Sequence, residues 1–209
     1  MPPRARQSTA WNDAIPSRDE QFALKRSALV RQAARAFNAR GYYNTSLEDV
    51  AHALGVTKPA LYYYVKSKEE ILFECHQIAI ELGDKALAFA RECEGCGFVK
   101  VIALGRRYLE LLTSELGAFA VLTEFDALTP ASRKVIAGKR NKFDRAFRAL
   151  VAAGIEDGSI RAVDSKLTVF FFMGAVNWMT RWFDTAGPLT GQQIADQFTD
   201  LLAEAIRAR

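Results

Sequence analysis

Thr45-Ser46-Leu47-Glu48-Asp49-Val50-Ala51-His52-Ala53-Leu54-Gly55-Val56-Thr57-Lys58-Pro59-Ala60-Leu61-Tyr62-Tyr63-Tyr64-Val65-Lys66-Ser67-Lys68-Glu69 is the stretch that decides how this chain folds. Ser46, with Asp49 three residues on, has the pattern of a capping box, so a helix begins there. Leu47, Val50, Ala51 and Leu54 fall on one helical face, which predicts a buried face. Gly55 stops that helix where a left-handed backbone costs least. Thr57 caps a second helix, and Pro59 in its first turn needs no amide hydrogen. Leu61, Tyr64 and Val65 then face inward. Lys58, Pro59, Ala60, Tyr62 and Tyr63 cover the outward arc. Ser67 with Glu70 reads as another capping box, opening the next helix.

This is a helix-turn-helix whose outward face suits a DNA major groove. Lys58 sits at the helix N-terminus, where a recognition helix meets base edges. Tyrosine offers a hydroxyl to phosphate and a ring to sugar and thymine methyl groups. Lys66 and Lys68 are placed for backbone phosphates. The candidate DNA contacts are Thr45, Ser46, Thr57, Lys58, Pro59, Ala60, Tyr62, Tyr63, Tyr64 and Lys68.

Residues 20 to 75 resemble the DNA-binding domain of the tetracycline-repressor (TetR) family of bacterial transcription regulators. The resemblance runs through Ala36-Phe37, Gly41-Tyr42, Thr45 to Ala51, Gly55-Val56-Thr57-Lys58 and Leu61 to Glu69. Tyr64 stands where many members carry histidine or tyrosine, and Val65 where many carry phenylalanine. The resemblance implies a dimer built on the last two helices and a ligand cavity in the C-terminal part.

Charge agrees with a DNA-binding N-terminus. Residues 1–68 carry 11 Lys+Arg against 5 Asp+Glu, and the remainder carries 17 against 19. The basic excess lies on the segment expected to meet DNA. Half of the 209 residues are hydrophobic, enough for a substantial core. No run of 18 apolar residues predicts a membrane span, and the N-terminus has no apolar core of a secretory signal. Cys75, Cys93 and Cys96 are an odd number, which fits reduced thiols and a cytoplasmic location. Cys93-Glu94-Gly95-Cys96 has the spacing of a redox motif or half a zinc site. It follows no strand and lacks further ligands, so neither metal nor cofactor is expected.

Helical periodicity continues through the chain, predicting an all-α protein of about nine helices. A flexible arm is expected over 1–16, the helix-turn-helix domain over 17–67 and a ligand-binding and dimerisation bundle over 68–209. Helices are expected near 17–40, 68–91, 98–114, 118–127, 129–156, 164–185 and 190 to the end, besides the two of the reader. The helix from Asp164 is apolar on nearly every face, which predicts burial on all sides. One face would meet its own core and another a second copy. The candidate interface is Phe170, Trp182, Ile194, Phe198, Leu201 and Leu202.

Candidate ligand residues are Tyr108, Phe125, Phe147, Phe171, Asn177, Trp178 and Arg181. Arg181, set among aromatics, needs a partner. Glu124, Asp126 or Asp184 would supply a salt bridge; alternatively it clamps an anionic ligand. The segment Phe172 to Phe183 with Gly187-Pro188-Leu189-Thr190 resembles a branch of the family that responds to acyl-CoA thioesters. The reading is a dimeric repressor of double-stranded operator DNA, released by a small effector of that kind. A thiol-redox regulator using Cys93 and Cys96 is the alternative. A CoA-thioester enzyme is disfavoured by the absence of a nucleophile elbow, phosphate loop or HExxH motif.

Overall fold

Among the described residues, seven of the eight α-helices begin where a side chain supplies an acceptor for amides that no helical carbonyl can reach. In the computed structural model, which describes residues 16–114, 124–184 and 187–208, these are α1 (Arg18–Arg40), α2 (Leu47–Ala53), α3 (Lys58–Tyr62), α4 (Lys68–Glu92), α6 (Pro130–Glu156), α7 (Ser165–Trp178) and α8 (Gly191–Ile206). Their caps are Ser17, Ser46, Thr57, Ser67, Thr129, Asp164 and Thr190. Full capping boxes close on α1, α2 and α8. The box expected at Ser67 is one-sided. Ser67 accepts from the Glu70 amide, but the Glu70 carboxylate accepts from the Lys66 amide at 2.7 Å.

The exception is α5 (Gly97–Ser114). Its first amides are met from the far end of α6, Gly97 by the Asp157 carboxylate at 2.7 Å and Phe98 by Ser159 Oγ at 3.0 Å. The two helix ends therefore almost touch. A Cβ on Gly97 would lie 2.3 Å from the Gly154 Cα. Gly55, in the turn of the reader, has a φ of 65°, the left-handed stop read from the sequence.

Two hydrophobic cores result. In the first, Val30, Ala33 and Phe37 of α1, Val50 and Ala51 of α2, Leu61 of α3, Val65, and Ile71, Leu72 and Cys75 of α4 pack together with Leu128 and Ile136. The second joins Ala79, Leu82, Ala86 and Ala90 of α4 to Leu104 and Leu109 of α5, Phe143 and Phe147 of α6, Val169 and Phe172 of α7, and Ile194 and Leu202 of α8. Helix α4 thus serves both. Among the described residues there is no strand; the loop after α6 meets the chain end through a single antiparallel bridge, Ile160 with Arg207. No described helix is long and apolar enough to cross a membrane.

Several elements depart from expectation. The arm expected over 1–16 lies outside the described residues apart from Pro16, as does most of the helix expected over 118–127. The end of the latter, Phe125–Ala127, is a 3-10 turn. Helix α7 stops at Trp178 and tightens into a 3-10 turn, Met179–Arg181, short of the expected end near residue 185. There the Thr180 hydroxyl donates to the Asn177 carbonyl at 2.9 Å, a local bond that competes with helix continuation. Nor is α7 buried all round. Val169, Phe172 and Val176 face the core, whereas Leu167, Phe170, Phe171 and Trp178 are exposed.

The glycine contact yields a direct test. Gly97→Ala forces α5 away from α6 and should lower stability by about 1–3 kcal/mol, the usual cost of overpacking. Urea unfolding at neutral pH measures it; an unchanged midpoint would show that the helix ends part freely.

Candidate nucleic-acid interface and effector cavity

The reader is assembled from exposed side chains on a fixed frame. Tyr62 and Tyr63 are exposed, the latter by 62 %. Phe22 of α1 holds the ring of Tyr63 edge-on at 5.5 Å and that of Tyr64 at 5.0 Å. Pro59 and Ala60 are exposed beside them, and Thr57 accepts from the Ala60 amide at 3.4 Å. Lys58 pairs with Glu48 of α2. Both groups are exposed, so water screens the pair and a phosphate can replace the carboxylate at small cost. Ser46 is exposed, and its amide and hydroxyl both donate to Asp49, at 2.8 and 2.7 Å. These donations hold the Asp49 carboxyl below its ordinary range.

Three expected contacts are placed differently. Thr45 is buried, its hydroxyl donating to Gly41 O at 2.9 Å and to Ala36 O at 3.2 Å. It pins the end of α1 to the start of α2, and its hydroxyl is not free for DNA. Tyr64 is half-buried against Phe22. Lys68 folds back with its ammonium 4.1 Å from the Tyr42 ring centroid, and burial pushes its pKa down. Lys58 and Lys66 are exposed on this surface, as is Arg40 beside Asp49. Tyr43, 72 % exposed, adds an aromatic that motif reading passed over; the Gly41-Tyr42-Tyr43 turn was its only signal.

Behind the reader, α4, α5, α6 and α7 enclose a cavity of about 510 Å³. Its apolar lining is Ala79, Ile80, Gly83, Phe143, Phe170 and Met173, and interleaved with these are the polar His76, Tyr108, Arg140, Asn141, Asp144, Arg148 and Asn177. That size and mixture suit a small organic ligand. His76 is 1 % exposed. Its Nδ1 lies 3.0 Å from Arg140 Nη2. Arginine has no acceptor, so Nδ1 accepts and Nε2 carries the proton. Nε2 is itself buried with no hydrogen-bond partner among the described residues. Burial, helped by the Arg140 charge, pushes the His76 pKa down to about 3, so the ring is neutral. Burial also raises the Tyr108 phenol to about 12. Asp144 pairs with Arg148.

Of the seven sequence candidates for ligand contact, Tyr108 and Asn177 line this cavity. Phe147 is core, edge-on to Phe143 and Phe172. Phe125 lies at the reader side, with Arg140 5.1 Å over its ring. Phe171 is 68 % exposed, Trp178 is 65 % exposed, and Arg181 is exposed in the 3-10 turn, so none of the three lines the cavity. The early end of α7 carries Arg181 to the surface. His76, Arg140, Asp144 and Arg148 were missed. Their only signal was a histidine within the apolar run of α4.

The expected interface splits. Ile194 and Leu202 are buried in the chain's own core. Leu201 is 65 % exposed, Trp182 is exposed, and Phe198 is half-buried against Trp182 at 6.4 Å. Phe170 is half-exposed and lines the cavity. The uncovered apolar face is Leu167, Phe171, Trp178 and Trp182, recurring at helical spacing, with Leu201 of α8. Cys93 ends α4 and Cys96 is exposed ahead of α5; both are free thiols. The Val99 amide, then the Ser159 hydroxyl, lower the Cys96 pKa. Among the described residues no group of three or more His, Cys, Asp or Glu could hold a metal ion.

Comparison with known proteins gives two family matches. Residues 29–75 match the N-terminal model described as bacterial regulatory proteins, tetR family. Residues 100–206 match the tetracyclin repressor-like C-terminal domain. The HTH-type transcriptional repressor KstR2 of Mycolicibacterium smegmatis is 25% identical over 203 residues, 91% of this chain and 95% of that one. The structure of the TetR-family regulator PfmR from Thermus thermophilus is 30% identical with a TM-score of 0.76, over 84% of this chain and 97% of that one. The structure of AibR in complex with isovaleryl coenzyme A and operator DNA is 28% identical with a TM-score of 0.73, over 84% and 96%.

The His76 environment predicts a pH dependence. An unfolded histidine titrates near 6.5, so as pH falls below that value the unfolded chain gains a proton that the folded chain refuses until about pH 3. Stability should therefore fall with pH below 6.5, by at most about 1.4 kcal/mol per unit from this group. Urea unfolding between pH 5 and 7 should show His76→Gln losing that part of the slope. Equal slopes in variant and parent would contradict a neutral, buried His76.

Proposed function

The chain belongs to the tetracycline-repressor (TetR) family of bacterial regulatory proteins, and on that footing we propose that it is a dimeric transcriptional repressor released from its operator by a small effector. The observation that carries the reading is an exposed Tyr62-Tyr63 reader packed over the first turns of α4, whose next turns line the cavity. Two readers related by a two-fold axis select a near-palindrome with half-sites about one turn of DNA apart. The two-fold contact is made by the uncovered face of α7 and α8. The effector occupies the cavity of α4 to α7. An acyl-CoA thioester is the favoured class, supported by the isovaleryl coenzyme A bound by AibR and by a cavity whose lining combines apolar side chains with the cations Arg140 and Arg148. The site of action is the cytoplasm, where operator DNA is found.

Fluorescence anisotropy on a duplex selected from random DNA tests the reader. Tyr63→Ala should weaken the selected site by about 10-fold, or 1.4 kcal/mol, and random DNA much less. Lys66→Ala should weaken both and reduce the salt slope by about one unit. Parent-like affinity in both variants contradicts the assignment. Adding acyl-CoA or peroxide in separate arms distinguishes effector release from oxidation of the Cys96 thiol, whose lowered pKa favours the thiolate.

Sedimentation tests the assembly. The parent should be a dimer at micromolar concentration and Leu201→Glu a folded monomer. Leu202→Glu, by contrast, should unfold the bundle, because Leu202 is buried in its own chain. A monomeric parent refutes the dimer.

A further inference from the structure

The cavity wall does not balance its own charge. Asp144 and Arg148 neutralise each other. His76 is neutral because burial keeps it so, and Tyr108 stays a phenol. That leaves Arg140. Among the described residues it meets His76 Nδ1 at 3.0 Å, the Phe125 ring at 5.1 Å and the field of the neutral Tyr108 phenol. None of these is an anion. A partly desolvated guanidinium without a counter-ion is an expensive arrangement, and here burial depresses its pKa.

The hydrogen-bond supply is equally one-sided. Arg140 has five N–H donors and no acceptor. One of them is used on His76, and in accepting it His76 is fixed with its proton on Nε2, a second donor that has no acceptor among the described residues. The Nε–H of Arg148 is likewise buried without a partner. Across His76, Arg140, Asp144 and Arg148, the unused groups that the structure buries are donors, and positive charge outnumbers negative. The apolar lining of Ile80, Phe143, Phe170 and Met173 asks for an apolar body.

We propose that Arg140 is the effector anchor: it receives an acyl oxygen, from either a carboxylate or a thioester carbonyl, while the acyl body lies on Ile80, Phe143, Phe170 and Met173. His76 is the positioning residue, because its Nδ1 fixes where the guanidinium points, and Phe125 supports the cation from the reader side. This inference rests on the cavity being the effector site but not on repression itself. A guanidinium is planar and presents paired donors, which suits a two-oxygen or carbonyl acceptor better than a hydroxyl.

The test is calorimetric, on the full chain without DNA, using two matched sets: octanoate, octanoyl coenzyme A and octan-1-ol; phenylacetate, phenylacetyl coenzyme A and 2-phenylethanol. The parent should bind the acid or the thioester of at least one set at least 10-fold more tightly than the alcohol, and which of the two binds more tightly identifies the source of the acyl group. Arg140→Met should erase that preference and leave the weak alcohol affinity within about threefold. Arg140→Lys, which keeps the charge, should restore part of it. Arg145→Met, on an exposed part of the same helix, serves as the control. Circular dichroism checks that each variant is folded. An undiminished acyl preference in Arg140→Met overturns the anchor, as does a parent that binds no acyl probe more tightly than its alcohol. Operator release is measured separately, so a chain that binds acyl probes without releasing DNA would overturn the repressor reading and leave the anchor standing.

Discussion

Helix α4 must satisfy two cores at once, and every other part of the molecule is arranged around that demand. Its 25 residues span about 38 Å at 1.5 Å per residue. Ile71, Leu72 and Cys75 close the core under the reader. Ala79, Leu82, Ala86 and Ala90 close the core of the bundle. Packed interiors resist continuous deformation, so a displacement of α4 in one core must be taken up by the other. Polar ties make the reader end stiffer still. Arg26 of α1 pairs with Glu70 and Glu74, each at 3.0 Å. Glu70 also holds the Lys66 amide just past the recognition helix, and Glu69 holds the Thr129 amide at the start of α6.

His76 sits between those two halves of α4, and that position gives the cavity its leverage. A ligand that engages the polar lining acts on a helix whose other end is clamped to the reader. The energetics are those of linkage: a ligand shifts the balance of two arrangements only by its difference in affinity for them. In the proposed repressor, DNA and effector weaken each other by the same factor. The reader contributes little resistance of its own, since the Lys58–Glu48 pair is exposed and readily exchanged.

Local chemistry was legible in the sequence, and chemistry that depends on distant residues was not. Caps such as Ser46, Thr57 and Thr190 need only three residues to act, so they announced the helix starts. The cavity joins His76 to Arg140, 64 residues apart, and in sequence Arg140 is one of several cations on a basic helix, with nothing local to set it apart. On α8, Leu201 and Leu202 are equally apolar; only the rotation of the helix against its own core separates the exposed one from the buried one. In α7 the apolar pattern covers every face and so carries no phase, which is why Phe171 and Trp178 were assigned inward. Thr45 and Lys68 matched the reader in position while their side chains serve the frame.

The central claim is that α4 carries motion from cavity to reader. Spin labels at His52→Cys in the reader and Glu204→Cys on α8, both exposed positions, in a background with Cys93 and Cys96 replaced by serine, report that motion within one chain when labelled protein is diluted with unlabelled protein. Pulsed electron resonance should show the 52–204 distance moving to a new mean when a calorimetrically saturating acyl ligand is added, and moving back on adding the selected operator. Superimposable distance distributions with and without bound ligand would contradict the account.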